Sequence, residues 1–199
     1  MKKKIFIFIF FLSSLFFQNF ANAYSSDPKQ FISEIVEEAK KILVASNTKE
    51  IKEKKLSEMA LKVADIKGIG FYTLGSFRKQ LSEEELKEYE ELFEKYFLKS
   101  FTSRLSDYSD PKIEVVDAEV LNPKYTIVKS VLLATDKKPE VKIDWRVYTK
   151  NPDKPLIRDL IVEGLSLART QKEEFASVIQ SNNGDVKKLF ETLKKFIDK

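Results

Sequence analysis

The pattern that most constrains this chain lies between residues 111 and 163. Four segments rich in β-branched residues, 112–120, 125–134, 141–148 and 156–162, follow one another with only turn residues between them. Asn122-Pro123, the stretch 136–139 and the stretch 151–155 supply those turns. None of the gaps holds a helix, so consecutive hairpins and an antiparallel sheet of about four strands are predicted. Alternation is cleanest in the third segment. There Val141, Ile143, Trp145 and Val147 point to one side, and Lys142, Asp144 and Arg146 to the other.

Helical spacing frames this block. Ser26-Asp27-Pro28 marks a helix start, and Phe31, Ile35, Ala39, Ile42 and Leu43 recur at helical intervals after it. A second, more charged helix is expected over about 49–64; Gly68 and Gly70 then loosen the chain before a short apolar segment, 69–74, closed by Gly75. Ser82 and Glu85 form a capping box at the head of the longest helix. Leu86, Tyr89, Phe93, Tyr96, Phe97, Phe101, Leu105 and Tyr108 run down one side of it. At the other end of the chain, Thr170 and Glu173 predict another capping box. Asn183-Gly184 stops that helix, and Asp185 caps a last one bearing Leu189, Phe190, Leu193, Phe196 and Ile197. Helices, then a sheet, then helices define an α+β domain.

The first 23 residues read as an export signal. Lys2, Lys3 and Lys4 precede an apolar run, which ends in the A-x-A cleavage pattern Ala21-Asn22-Ala23. Residues 24–199 are then one domain. Removing the three lysines takes the formal net charge from +4 to +1. A charge so near zero argues against nucleic acid as a partner and against electrostatic docking on anionic lipid. Cysteine and histidine are both absent. Disulfides, thiol nucleophiles, the usual zinc sites and every imidazole-based triad are therefore excluded.

The segment Asp159-Leu160-Ile161-Val162-Glu163-Gly164-Leu165-Ser166 resembles the D-x-x-x-E-G-x-S signature of the MlaC family, the toluene-tolerance auxiliary family of ABC transporters. Leu74-Gly75-Ser76-Phe77 is similar to that family's L-G-x-aromatic segment, and 141–145 to its third strand. Arg78, Leu156 and Arg158 stand where the family commonly has aromatic residues. The resemblance implies a periplasmic monomer whose helix-covered sheet encloses an apolar cavity for phospholipid acyl chains. It also implies an outer-membrane lipoprotein–porin complex and an inner-membrane ABC transporter with a lipid-binding ring as partners, and no cofactor.

On that reading the candidate cavity wall is Leu74, Phe77, Phe93, Phe97, Phe101, Val131, Leu133, Ile143, Trp145, Val147 and Ile161, with Ile143, Trp145 and Val147 facing Phe93, Phe97 and Phe101. Periodicity alone does not separate such a wall from a filled core, because both demand the same residues. Asp159, Glu163, Gly164 and Ser166 form the one constellation resembling a site. With no histidine to activate Ser166, a structural role is expected: Ser166 capping a turn, Gly164 supplying a bend, and a carboxylate pairing with Arg146, Arg158 or Arg169. A carboxylate-dependent hydrolase and an adaptor with an apolar groove remain the competing readings. The mature chain is predicted to start at Tyr24, and N-terminal sequencing of the periplasmic fraction checks this; Met1 retained in a membrane pellet refutes it.

Overall fold

A computed structural model describes residues 24–136 and 139–199; residues 1–23, expected to be an export signal, lie outside the described residues. Its helices are α1 (Pro28–Val44), α2 (Lys49–Val63), α3 (Ile66–Leu74), α4 (Glu83–Leu105), α5 (Leu167–Ser181) and α6 (Lys187–Ile197), with a 3-10 turn at Gly75–Gln80. Its strands are β1 (Ile113–Asn122), β2 (Tyr125–Leu132), β3 (Val141–Tyr148), β4 (Leu156–Val162) and the short β5 (Leu165–Ser166). They form one antiparallel sheet in the order β1-β2-β3-β4-β5, one strand more than the four expected. The architecture is α+β.

Side chains start most of the helices. Asp27 caps α1 by accepting from Gln30 N, and Thr48 caps α2 through Ile51 N. The capping box of α4 is complete: Glu85 N donates to Ser82 Oγ at 3.2 Å, and Ser82 N to Glu85 Oε2 at 2.9 Å. Three starts differ from expectation. α6 has Val186, not Asp185, in the cap position and no side-chain cap; Asp185 Oδ1 accepts from Lys187 N at 2.9 Å. α5 begins at Leu167, with Ser166 rather than Thr170 as its cap, because Ser166 Oγ accepts from Arg169 N at 3.0 Å. The Thr170 hydroxyl instead donates to Ser166 O. The chain at Gly68 and Gly70, expected to be loose, and the apolar segment 69–74 both belong to α3. Asp65 Oδ1 accepts from Gly68 N at 2.9 Å and so starts a helix that propensity disfavours. Gly70 is there for contact: a Cβ on it would lie 2.7 Å from Phe93 Cδ1, so its absence lets α3 and α4 pack closely.

The buried apolar residues divide into two cores. The first gathers Ile66, Ile69 and Leu74 of α3, Tyr89, Leu92 and Phe93 of α4, and the inward faces of α5 and α6. The second sets Phe31, Ile32, Ile35, Val36 and Leu43 of α1 and Leu56, Met59 and Val63 of α2 against Val128, Val147 and Ile157 of the sheet. α4 takes part in both, because Phe101 and Leu105 near its end lie against the second core. Phe97 and Phe101 stack with ring centroids 6.0 Å apart and planes 7° from parallel, where one core gives way to the other.

Arg158, on β4, ties the sheet to α3. Its Nε donates to Asp65 Oδ2 at 2.6 Å and its NH1 to Tyr125 Oη at 2.8 Å, while its guanidinium lies 3.7 Å from the centre of the Tyr148 ring. A planar cation with several donors serves three partners at once. Deep in the first core, Tyr89 Oη donates to Gly70 O at 3.0 Å and lies 3.1 Å from Thr73 Oγ1. Burial pushes the Tyr89 hydroxyl pKa well above its ordinary value. Its neutral form is thus favoured in the folded state, and that contribution is present below the ordinary phenol pKa and lost as pH climbs beyond it. Because Thr73 Oγ1 also donates to Gly70 O, Tyr89→Phe leaves that carbonyl paired. The variant should lose about 1 kcal/mol at neutral pH, with a smaller decline in alkali than the parent; urea titration at several pH values measures both.

Candidate functional site

Cross-strand register assigns each sheet residue to a face. Thr126, Val128, Ser130 and Leu132 of β2 stand opposite Val147, Trp145, Ile143 and Val141 of β3. These eight share the face on which Val128 and Val147 meet α1 and α2. Ile157, Leu160 and Val162 of β4 continue it, paired with Val147, Trp145 and Ile143. Ile157 and Leu160 are three residues apart, because a register shift opposite Arg146 and Val147 inserts an extra residue. The same irregularity turns Arg158 and Asp159 towards the other face.

This inner face is covered unevenly. At the Val147 end, Thr126, Val128, Val147 and Ile157 are all buried. Towards the other end, Leu132, Val141, Ile143 and Val162 are only half-buried and join neither core. Between them Trp145 and Leu160 flank the second core, also half-buried. The indole Nε1 of Trp145 donates to Ser130 Oγ at 2.8 Å, and Ser130 Oγ donates to Ile143 O at 2.9 Å. The one polar atom of the ring is thereby satisfied inside the sheet, and what remains of the side chain is an apolar surface.

The candidate wall residues separate into groups. Ile143, Trp145 and Val147 share the inner face, with Val147 at its covered end. Phe97 and Phe101 are half-buried at the boundary between the cores. Leu74 and Phe93 are buried in the helical core, and Phe77 packs on its edge. Phe93 therefore stands in a different core from Val147, and the closest backbone neighbours of α4 are α2, α3 and α6 rather than the strands. Val131 and Ile161 stand opposite Lys142 and Asp144, on the outer face. Leu133 follows the last residue of β2 and bonds through its N–H to Lys112 O. Val141 was given its face by alternation in β3 but not named as wall, and Leu132, Leu160 and Val162 were not assigned to the wall at all. Pairing with Val141 places Leu132, whereas the irregularity in β4 hides the other two.

The D-x-x-x-E-G-x-S segment is occupied with structure. Asp159 is buried, and its Oδ2 accepts from Ser166 Oγ at 2.6 Å while its Oδ1 accepts from Ala168 N at 3.0 Å. Arg146 NH1 lies 3.4 Å from the same Oδ2. Arg158 goes to Asp65 and Arg169 to Glu173. Glu163 and Gly164, with φ of 49° and 81°, form the two-residue turn between β4 and β5, a geometry matching the hairpin turn with both central residues left-handed. Glu163 Oε1 accepts from Lys142 N at 2.5 Å, and Glu163 N donates to Lys142 O at 3.0 Å. Ser166 Oγ donates to a carboxylate and accepts from a helix N–H, which leaves it poorly placed to act as a nucleophile.

Among the described residues no group of carboxylates is arranged to hold a metal ion, and no helix is long and apolar enough to cross a membrane. Fold and site define an α+β protein built around an antiparallel sheet whose inner face is half covered by helices and apolar throughout its open part. The sequence profile of the MlaC protein family matches residues 29–195, and the chain belongs to that family. Among solved structures it is similar to a protein of Ralstonia solanacearum described as a phospholipid-binding protein in complex with a phospholipid. The two share 20% sequence identity over 89% of this chain and 98% of that one, with a TM-score of 0.70. No curated relative matches the sequence itself at a significant level.

Ser166→Ala removes both a helix cap and a partner of Asp159, and should cost about 1–2 kcal/mol. Asp159→Ala strips two donors and Arg146 of their acceptor and should cost more, about 2–3 kcal/mol. Chemical denaturation of the two variants beside the parent tests the order.

Proposed function

We propose that this protein is a periplasmic phospholipid carrier, exported by cleavage of residues 1–23 and working as a single domain, residues 24–199, without a catalytic step or a cofactor. The observation that carries the reading is the inner face of the sheet. Its Leu132, Val141, Ile143, Trp145, Leu160 and Val162 present half-buried apolar surface, a poor arrangement for a finished core and a good one for acyl chains. Membership of the MlaC family supports it, as does the fold shared with a phospholipid-bound protein.

The energetics suit a shuttle. Burying each methylene is worth about 0.8 kcal/mol, so two acyl chains give on the order of 20 kcal/mol relative to water. A bilayer offers nearly the same, and exchange between membrane and protein is close to balanced. In cells the carrier would move phospholipid between the outer and inner membranes as the soluble part of an Mla-type ABC system, sustaining outer-membrane lipid asymmetry. Its partners would be an outer-membrane lipoprotein–porin complex and an inner-membrane transporter with a lipid-binding ring. Of the carboxylates a hydrolase would draw on, Asp159, Glu163 and Asp144, the first two are bonded to Ser166 and Ala168 N and to Lys142 N, which counts against that reading.

The test is organic extraction of protein purified without detergent, followed by mass spectrometry. Near-stoichiometric phospholipid is expected. Protein that carries none, and takes none from vesicles, overturns the proposal.

A further inference from the structure

The inner face continues past β4. Val162 pairs with Ile143 on one side and with Leu165 of β5 on the other, so one cross-strand row runs Ser130, Ile143, Val162, Leu165. Exposure rises along it: Ser130 is buried, Ile143 and Val162 are half-buried, and Leu165 is 69% exposed. Leu167, two residues further on, is exposed as well. A large aliphatic side chain held this far into water, at the end of an apolar row, calls for an explanation beyond packing.

The surrounding bonds hold Leu165 rigidly. On its N-terminal side, the Glu163–Gly164 turn is clamped to Lys142 through both the backbone and the carboxylate of Glu163. On its C-terminal side, Ser166 is fixed to Asp159 and to the first turn of α5. The whole signature segment thus presents one exposed leucine on a stiff hairpin, contiguous with the open part of the inner face.

We infer that the β4–β5 hairpin is the entry lip of the lipid site, with Leu165 the outermost residue over which phospholipid acyl chains slide onto Val162 and Ile143. The inference rests on the carrier reading above. An apolar lip lets a chain pass from bilayer to sheet without each methylene crossing water, which lowers the barrier to transfer while leaving the end states unchanged. It acts on rates.

The experiment compares the parent with Leu165→Glu, using vesicles of phosphatidylethanolamine and phosphatidylglycerol doped with a self-quenching fluorescent phospholipid. A carboxylate in the path raises the barrier in both directions, so uptake and release should each slow about tenfold, with final lipid content and thermal midpoint unchanged. A folded variant with parental rates overturns the lip. Parent protein that neither holds nor acquires phospholipid overturns the carrier reading itself, and the two failures are thereby distinct. A second measurement does not depend on the behaviour of the charged variant. The chain has no cysteine, so Leu165→Cys on β5 and Asn151→Cys in the turn between β3 and β4, beyond opposite ends of β4, each carry a single fluorophore. Spin-labelled acyl chains should quench the label at position 165 during uptake and spare the one at 151. Equal quenching at both positions, or none at 165, refutes the assignment.

Discussion

The division of apolar surface into two cores, bridged by the parallel stack of Phe97 on Phe101, governs the rest of the structure. One helix cannot bury its whole length in two places without a junction. α4 commits Tyr89, Leu92 and Phe93 to the helical core, while Phe101 and Leu105 lie against the core made by α1, α2 and the sheet. The aromatic rings at the junction belong fully to neither. Because α4 spends its backbone contacts on α2, α3 and α6, it does not close down on the strands, and the inner face is left to whatever α1 and α2 can cover. They cover only the end marked by Val147.

Holding such an arrangement open requires rigidity elsewhere. Polar groups of β4 supply it: Arg158 binds Asp65, Tyr125 and Tyr148, while Asp159 joins Ser166, Ala168 and Arg146. These contacts hold α3 and α5 against β4 without drawing any apolar residue away from the inner face. The guanidinium of Arg158 lies over the Tyr148 ring, 3.7 Å from its centre.

Much of this was legible in the residues. β3 and β4 fall where β-branched alternation and turn residues placed them, and α4 starts at its capping box. Asp159 and Ser166 are bonded to each other and to the first turn of α5, and Gly164 takes a φ of 81° in the turn before them. Three things were hidden. α3 was masked by Gly68 and Gly70, whose helix-breaking tendency is outweighed by the Asp65 cap and by close packing on Phe93. The start of α5 was misplaced by one turn because Ser166 and Thr170 are both plausible caps, and only the geometry of β5 selects between them. The facing of β4 could not be read at all. Its irregularity near Arg158 breaks the two-residue period, so Leu160 and Val162 share a face with Ile157 while Ile161 does not. A pattern that counts residues cannot see a residue that pairing skips.

The chain contains one tryptophan, and it stands at the edge of the open face with its indole N–H already tied to Ser130. Indole emission shifts with the polarity and mobility of its surroundings, and a fixed hydrogen bond removes one common source of variation. What is left to change at Trp145 is the medium against its ring, water in one condition and hydrocarbon in another. The fold therefore contains its own optical gauge of how dry the inner face is, with no second tryptophan to blur the signal.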